Sequence, residues 1–259
     1  MSVDRNLAGK VVLVVGGATG IGRSAARAFA ARGAHLVFSD ITDANGPALE
    51  KELRDLSLDA LFVQSDATAE PEVAALVAQV VDLHGRLDAA INLVGAIPPP
   101  DNARARLHET SEAGWDGTVQ LCLKSAFLCM KHQIAQMLQQ GGGGAIVNTA
   151  SLAALHVTPN GSPAYHAAKA GVIQLTRKAA VEYAADGVRV NVVAPGLTAT
   201  DTLLSRWNAE QLKTMSAEQP IGRPVSPEEV AAAFVWLCSP EASGVTGLTL
   251  PVDGGWNAR

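Results

Sequence analysis

Short apolar runs alternate with longer amphipathic stretches from one end of the 259-residue chain to the other. The runs fall at 11–15, 35–39, 60–64, 89–94, 145–149, 188–193 and 248–252. Each is brief and rich in Val, Ile, Leu and Ala, as strands buried on both faces are. Helical periodicity occupies 23–32, the interval between the second and third runs, 71–84, 115–138, 164–184 and 227–238. Gly33 closes the first helix as a C-cap, and Pro71 stands in the first turn of another, where its missing N–H leaves no bond unmade. This alternation predicts an α/β fold, a Rossmann-type doubly wound parallel sheet of about seven strands with helices on both faces. No repeat or linker divides the chain, so residues 1–259 read as a single domain. Two connections stand out: a polar excursion from Pro98-Pro99-Pro100 to about Thr110, and the tetraglycine at 141–144, which reads as a flexible link.

Composition narrows the class. Hydrophobic residues make up 48% and charged residues 17%, the balance of a folded chain with a sizeable core. A net charge of −5 offers no basic footprint, so no nucleic acid and no membrane surface is expected as a partner. No apolar run is long enough to span a bilayer, and the opening residues lack the apolar core of a secretory signal. Cys122, Cys129 and Cys238 form neither a paired framework nor a metal-ligand spacing. A cytoplasmic setting and the absence of a metal are the expectations.

Gly16, Gly20 and Gly22 lie where the first strand meets a helix. Glycine lets the backbone adopt positive φ and lets a phosphate approach the main chain, while the following helix presents unpaired N–H groups to it. In a strand–turn–helix context this pattern points to a dinucleotide. Asp40 ends the second strand about 20 residues later, where a carboxylate can accept from both adenosine ribose hydroxyls and repels a 2′-phosphate. Thr19 fills the centre of the turn, so no cation there offsets the repulsion, and Arg23 belongs on the helix exterior. The expected cofactor is NAD rather than NADP.

Tyr165 and Lys169 stand four apart on a helix, which brings phenol and ammonium to one face. A neighbouring cation favours the phenolate and lowers the phenol pKa. Ser151, 14 residues before Tyr165, can bring a hydroxyl to the same place across a loop of ordinary length. Together they form a proton-transfer site suited to an alcohol or ketone.

These residues, with the rest of the chain from about Leu7 to Asn257, resemble the short-chain dehydrogenase/reductase family in its compact single-domain form. The glycine-rich turn appears as Val15-Gly16-Gly17-Ala18-Thr19-Gly20-Ile21-Gly22, with Val15 where a Thr is usual. Ser65-Asp66-Ala67 resembles the adenine-contacting segment, with Asp66 accepting from the base and Ile41 packing on its ring. Asn92-Leu93-Val94-Gly95 matches the family's Asn-Asn-Ala-Gly stretch beside the cofactor only at Asn92 and Gly95. Pro195-Gly196-Leu197-Thr198-Ala199-Thr200 matches the segment along the nicotinamide, with the Thr198 backbone at the carboxamide and the Thr200 hydroxyl nearby. The closing stretch from Val245-Thr246-Gly247 to Val252-Asp253-Gly254-Gly255 also follows the family.

The resemblance implies hydride transfer between a secondary alcohol or ketone and the nicotinamide. Tyr165 is then the acid/base, Lys169 lowers its pKa and binds the nicotinamide ribose, and Ser151 donates to the substrate oxygen. Cys122 stands where the family has an Asn that helps hold a water, and a thiol cannot replace an amide. His166 should point away around the helix, whereas His156 follows Ser151 and is a candidate substrate contact.

Residues 201–219 resemble the family's substrate lid. Leu203, Leu204, Trp207, Leu212 and Met215 either form an apolar ceiling or pack on the core. The 96–106 loop is a second candidate wall: an apolar pocket suits a cyclic alcohol, whereas Arg104 or Arg106 suits an anionic group. The family implies a homotetramer, with Leu175, Ala179, Ala180 and Trp256 as candidate contacts. A 3-oxoacyl thioester reductase using NADPH is the alternative enzyme, and a non-catalytic dinucleotide sensor the alternative class.

Overall fold

The first strand shows why the chain folds as it does. In β1 (Val11–Val15) every residue is buried, and successive side chains enter opposite layers, as the two-residue period of a strand demands. Val12 and Val14 join one core with Phe29, Phe38 and Phe234, while Val11, Leu13 and Val15 join the other with Leu76, Val80 and Leu128. Each fully buried Phe or Leu contributes about 1.5–3 kcal/mol. The two cores therefore hold helices against both faces of the sheet. The structure, a computed structural model, describes residues 6–157 and 161–259.

The remaining strands are β2 (His35–Asp40), β3 (Ala60–Gln64), β4 (Ala89–Asn92), β5 (Gly144–Thr149), β6 (Val188–Pro195) and β7 (Thr249–Val252). They form one seven-stranded sheet in the order β3-β2-β1-β4-β5-β6-β7, with every pairing parallel. The helices are α1 (Gly20–Ala31), α2 (Gly46–Asp55), α3 (Glu70–His84), α4 (Glu112–Val119), α5 (Ser125–Gln140), α6 (Pro163–Tyr183), α7 (Asp201–Arg206), α8 (Ala209–Ser216) and α9 (Pro227–Cys238). The expected Rossmann-type doubly wound sheet is the observed one.

Three boundaries differ for local reasons. The first helix begins at Gly20, three residues earlier than its amphipathic pattern, because the glycine turn itself winds into it. The long stretch predicted at 115–138 is α4 and α5 joined by a π-helical turn at Gln120–Lys124, which inserts an extra residue and brings Cys122 inward, fully buried. The expected lid is two short helices, α7 and α8, and none of its five apolar residues belongs to the buried clusters. The core-packing alternative for them therefore lacks support.

Of the candidate assembly contacts, Ala179, Ala180 and Trp256 are buried in the protomer and Leu175 is half-buried against its core. Sequence periodicity alone does not say which stripe of α6 meets the sheet. The apolar side chains that α5 and α6 expose are Phe127 (47%), Leu138 and Val181 (83%).

Candidate active site

Strand order reverses between β1 and β4, and a groove opens at their carboxyl ends, where doubly wound sheets bind ligands. It consists of two adjoining cavities of about 360 and 250 Å³, both lined by Gly16, Thr19, Leu93 and Gly95. The larger also takes in Gly20, Ile21, Gly22, Ser151, Tyr165, Lys169, Pro195, Gly196, Thr198 and Thr200. The smaller takes in Asp40, Ile41, Asp66 and Ala67.

The glycine turn is shaped by space as much as by dihedral angle. A Cβ on Gly22 would lie 1.9 Å from the Gly16 carbonyl oxygen, so only glycine closes the turn. Thr19 makes no capping hydrogen bond and the first turn of α1 carries no acidic residue, which leaves the helix N-terminus open to an anion. Asp40 reaches back to this turn: its Oδ2 accepts from the Ala18 N–H at 3.2 Å and its Oδ1 from the Ile41 N–H at 2.9 Å. Arg23 pairs with Glu52 at 3.7 Å, outside the groove, as expected of the helix exterior.

The groove fits a dinucleotide. Ser65 Oγ and Thr149 Oγ1 are buried without a protein partner, and their residues line the smaller and larger cavity respectively. Asp66 is anchored by the Thr68 N–H and hydroxyl, both donating to Oδ1 at 2.8 Å, which leaves Oδ2 available. Asn92 departs from expectation. Its buried amide donates to Asn148 Oδ1 at 2.9 Å and to Gln133 Oε1 at 3.0 Å, while Gln133 donates back to Asn92 Oδ1 at 2.8 Å. It therefore braces β4 against β5 and does not line the groove, because strand alternation turns its side chain into the core.

At the inner end, Ser162 caps α6 by accepting the Tyr165 N–H at 3.1 Å. Pro163 occupies the first turn. The Ser162 hydroxyl donates to Asp101 Oδ2 at 2.5 Å, and the same oxygen accepts from Thr118 Oγ1 at 2.7 Å. The 96–106 loop is thereby tied to the helix that carries Tyr165. The Ser151 hydroxyl accepts from the Ala153 N–H at 3.2 Å and lies close enough to the phenol to favour its ionised form.

Lys169 is 2% exposed. Its Nζ donates to the Thr149 carbonyl at 2.9 Å and to that of Val94 at 3.4 Å, and lies 5.7 Å from the centre of the Tyr165 ring. A Cβ on Gly95 would come within 2.6 Å of Lys169 Nζ and 3.4 Å of Cys122 Sγ, so glycine leaves the room in which these groups meet. The Cys122 thiol donates to the Ala96 carbonyl at 3.2 Å.

Burial pushes the Tyr165 phenol up to about 12, chiefly by desolvation, with Ser151 pulling the other way. Desolvation also lowers the Lys169 pKa, and it raises that of Cys122. The expected lowering of the Tyr165 pKa by Lys169 is thus not realised in the protein alone, where desolvation of the phenolate prevails. His166 turns away, its Nδ1 2.9 Å from the Ser162 carbonyl. His156 packs 6.3 Å from the Trp256 ring and does not line the groove.

A family model described as "Enoyl-(Acyl carrier protein) reductase" matches residues 16–257. The chain is 43% identical to a cis-4-hydroxycyclohexanecarboxylate dehydrogenase of Sinomonas cyclohexanicum, covering 96% of this chain and 97% of the relative. It is 38% identical to a 2,5-dichloro-2,5-cyclohexadiene-1,4-diol dehydrogenase of Sphingobium indicum, covering 98% and 99%. A crystal structure of levodione reductase superposes with a TM-score of 0.90 at 30% identity, covering 97% and 99% of the two chains. The chain belongs to the short-chain dehydrogenase/reductase family.

As a member of that family the chain is an oxidoreductase with a nicotinamide dinucleotide cofactor. Several groove residues escaped sequence reasoning: Thr149, Ala150 and Thr202 in the larger cavity, and Leu121 in the smaller, whereas Leu203 of the expected ceiling does line the larger one. Thr149 was accessible in principle, since it ends a strand on the carboxyl side of the sheet. Asp101 carried no signal, as its partners lie 17 and 61 residues away. A third cavity of about 780 Å³ lies between the 96–106 loop and the lid, lined by Arg104, Trp207, Glu210 and Met215 among others. No helix among the described residues is long and apolar enough to cross a membrane.

Proposed function

We propose that this chain is an NAD-dependent dehydrogenase that interconverts a cyclic secondary alcohol and its ketone. The observation that carries the reading is the convergence of Ser151, Tyr165 and Lys169 in one groove with the carboxylate of Asp40. The Gly16–Gly22 turn and the α1 N-terminus hold the pyrophosphate, Asp40 the adenosine ribose, and Asp66, Ala67 and Ile41 the adenine. Pro195, Gly196, Thr198 and Thr200 would hold the nicotinamide, with Gly95 lining the same cavity. NAD, when bound, accepts the hydride from the carbinol carbon.

Ser151 orients the substrate oxygen and stabilises its developing charge. Tyr165 takes the hydroxyl proton during oxidation and returns it during reduction. A phenol raised to about 12 keeps its proton near neutral pH, the form that can return a proton in reduction but cannot take one in oxidation. Deprotonating it for oxidation requires positive charge beside the ring. Lys169, tethered to the Thr149 and Val94 carbonyls, supplies one such charge and holds the nicotinamide ribose.

A cyclic substrate is supported by the dehydrogenases of ring alcohols among the relatives. Leu197 and Leu203 bring apolar walls to the larger cavity. Arg104, in the cavity between the 96–106 loop and the lid at 201–219, is the candidate partner for a carboxylate on the ring. The description of the matching family model favours one second reading, reduction of an acyl thioester; with NADPH as its reductant, Asp40 opposes it. Assembly as a homotetramer through the exposed Phe127, Leu138 and Val181 faces, in a reducing cytoplasm, completes the proposal.

The test is NADH formation from NAD and a panel of ring alcohols, with and without a carboxylate, comparing wild type with Tyr165→Phe. Turnover that the variant loses is the expected result. Turnover only with an acyl thioester and NADPH would replace this reading with the second.

A further inference from the structure

At the amino-terminal end of the sheet, opposite the groove, three elements bring His35, Asp59 and His84 together. His35 opens β2, Asp59 immediately precedes β3, and His84 is the last residue of α3. The parallel register pairs Leu36 with Ala60, and the Leu36 N–H donates to the Asp59 carbonyl at 3.1 Å. His35 and Asp59 are therefore neighbours across two strands, each on a fixed backbone. Their side chains meet, with His35 Nδ1 and Asp59 Oδ2 2.5 Å apart. The His84 ring stacks on that of His35, centroids 5.3 Å apart and planes 27° from parallel. Gly85, at φ +76, then ends α3 by donating its N–H to the Val81 carbonyl at 2.7 Å, which sets where His84 stands.

One ligating atom from each of the three residues lies within 4.8 Å of the others. None of them lines the cofactor groove, so its chemistry does not account for the cluster. Two imidazole nitrogens and a carboxylate oxygen are a donor set for Zn²⁺ and its borderline neighbours, whereas Mg²⁺ and Ca²⁺ select oxygen ligands.

We propose that His35, Asp59 and His84 bind a zinc-type divalent cation, with water completing its coordination. Ligands at roughly 2.0–2.1 Å from a tetrahedral ion stand about 3.3 Å apart, so the His35–Asp59 pair must open from 2.5 Å by about 0.8 Å while the longer separations close by up to about 1.5 Å. The His35 and Asp59 side chains are about half exposed, 43% and 57%, which makes that closure a rotamer adjustment rather than a repacking. The ion takes the place of the hydrogen bond between His35 Nδ1 and Asp59 Oδ2. It fastens β2, the entry to β3 and the end of α3 to one another, and stabilises the native state because only the folded chain assembles the site. Cysteine spacing carries no sign of this cluster, whose members are far apart in sequence and include no cysteine.

The test uses the full chain without added cofactor. Zn²⁺ binding is measured by calorimetry and thermal melting, and Co²⁺ serves as a visible-absorption probe, with Mg²⁺ as the control. One Zn²⁺ per chain, an upward melting shift and Co²⁺ absorption bands are expected. Asp59→Asn and His84→Ala should each weaken Zn²⁺ binding about tenfold or more and remove the melting shift, while melting like wild type without metal. His132→Ala removes another histidine held against a carboxylate, Glu70 at 3.3 Å, and should leave binding unchanged. The proposal is overturned if Zn²⁺ neither binds nor shifts the melting of wild type. Equal binding by His84→Ala, or loss of binding in His132→Ala, would overturn it as well.

Discussion

If the groove selects NAD as proposed, replacing Asp40 by alanine should leave it hardly discriminating. The carboxylate lines the smaller cavity and holds one backbone N–H on each oxygen, which fixes its plane and leaves lone pairs for two ribose hydroxyls. A hydrogen bond to a charged group contributes about 1.5–3 kcal/mol. Loss of even one such bond weakens NAD binding by about tenfold to a hundredfold, since 1.4 kcal/mol is a factor of ten. For NADP the sign reverses. A unit charge pair at about 4 Å interacts by about 1 kcal/mol in bulk water and about 4 kcal/mol near a protein surface. Relief of the repulsion against a 2′-phosphate is therefore about 1 kcal/mol at the least.

The two effects add to about 2.5 kcal/mol or more, so the NAD-to-NADP affinity ratio should fall by nearly a hundredfold. The ratio is the right readout, because the Ala18 and Ile41 N–H groups also lose their acceptor and a loosened turn weakens both cofactors alike. Fluorescence titration with NADH and NADPH measures it, and Asp40→Asn, which keeps an acceptor but not the charge, separates repulsion from shape. An unchanged ratio in the alanine variant would refute the reasoning and leave Asp40 as a brace for the glycine turn.

Three further outcomes follow from the geometry. Because burial raises the Tyr165 phenol to about 12, above its unfolded value near 10, its contribution to stability is fully present below pH 10. That contribution, roughly 2–3 kcal/mol, is lost as the pH rises toward 12. Tyr165→Phe should flatten that part of the alkaline decline in denaturant melts. Cys129 and Cys238, also raised to about 12, remain in both proteins, so equal slopes would contradict the shift. Gly95→Ala forces a methyl to 2.6 Å from Lys169 Nζ. Overpacking of this kind costs about 1–3 kcal/mol, and kcat should fall at least about tenfold as Lys169 leaves the Thr149 carbonyl; a wild-type rate would show that the ammonium position does not matter. Asp101→Ala removes the acceptor for the Thr118 and Ser162 hydroxyls, each bond worth about 1.5–3 kcal/mol. It should lower Tm and reduce kcat more than it raises KM, with Asp101→Asn restoring both; unchanged kcat would make the clamp purely structural.

Much of this protein was legible in its residues because the relevant signals are local. A strand buried on both faces announces itself by an unbroken apolar run, as 11–15 does. The glycine turn is set by steric demands within seven residues, and Tyr165 and Lys169 share a helix face by spacing alone. Those features sufficed for the sheet, the groove and its proton-transfer pair. Other assignments depended on which way a side chain points once elements pack. Asn92 follows directly from a groove strand yet turns inward to Gln133 and Asn148, because alternate strand residues face opposite layers. Ala179 and Ala180 lie in the core, leaving Val181 outside.

The balance of electrostatic effects at Tyr165 was likewise a tertiary decision. Spacing brings Lys169 near the phenol, but only packing determines how much water is removed from both, and here desolvation outweighs attraction. The bond from Ser162 to Asp101 and the meeting of His35, Asp59 and His84 join residues 24 to 61 positions apart. No local preference encodes such distances; they arise when parallel strands fall into register and helices settle on the sheet. The sequence by itself determined which elements form and which chemistry they carry, because those follow from near neighbours. The tertiary structure alone decided which distant side chains share a hydrogen bond, a cavity or a ligand, because burial and direction are properties of the packed whole.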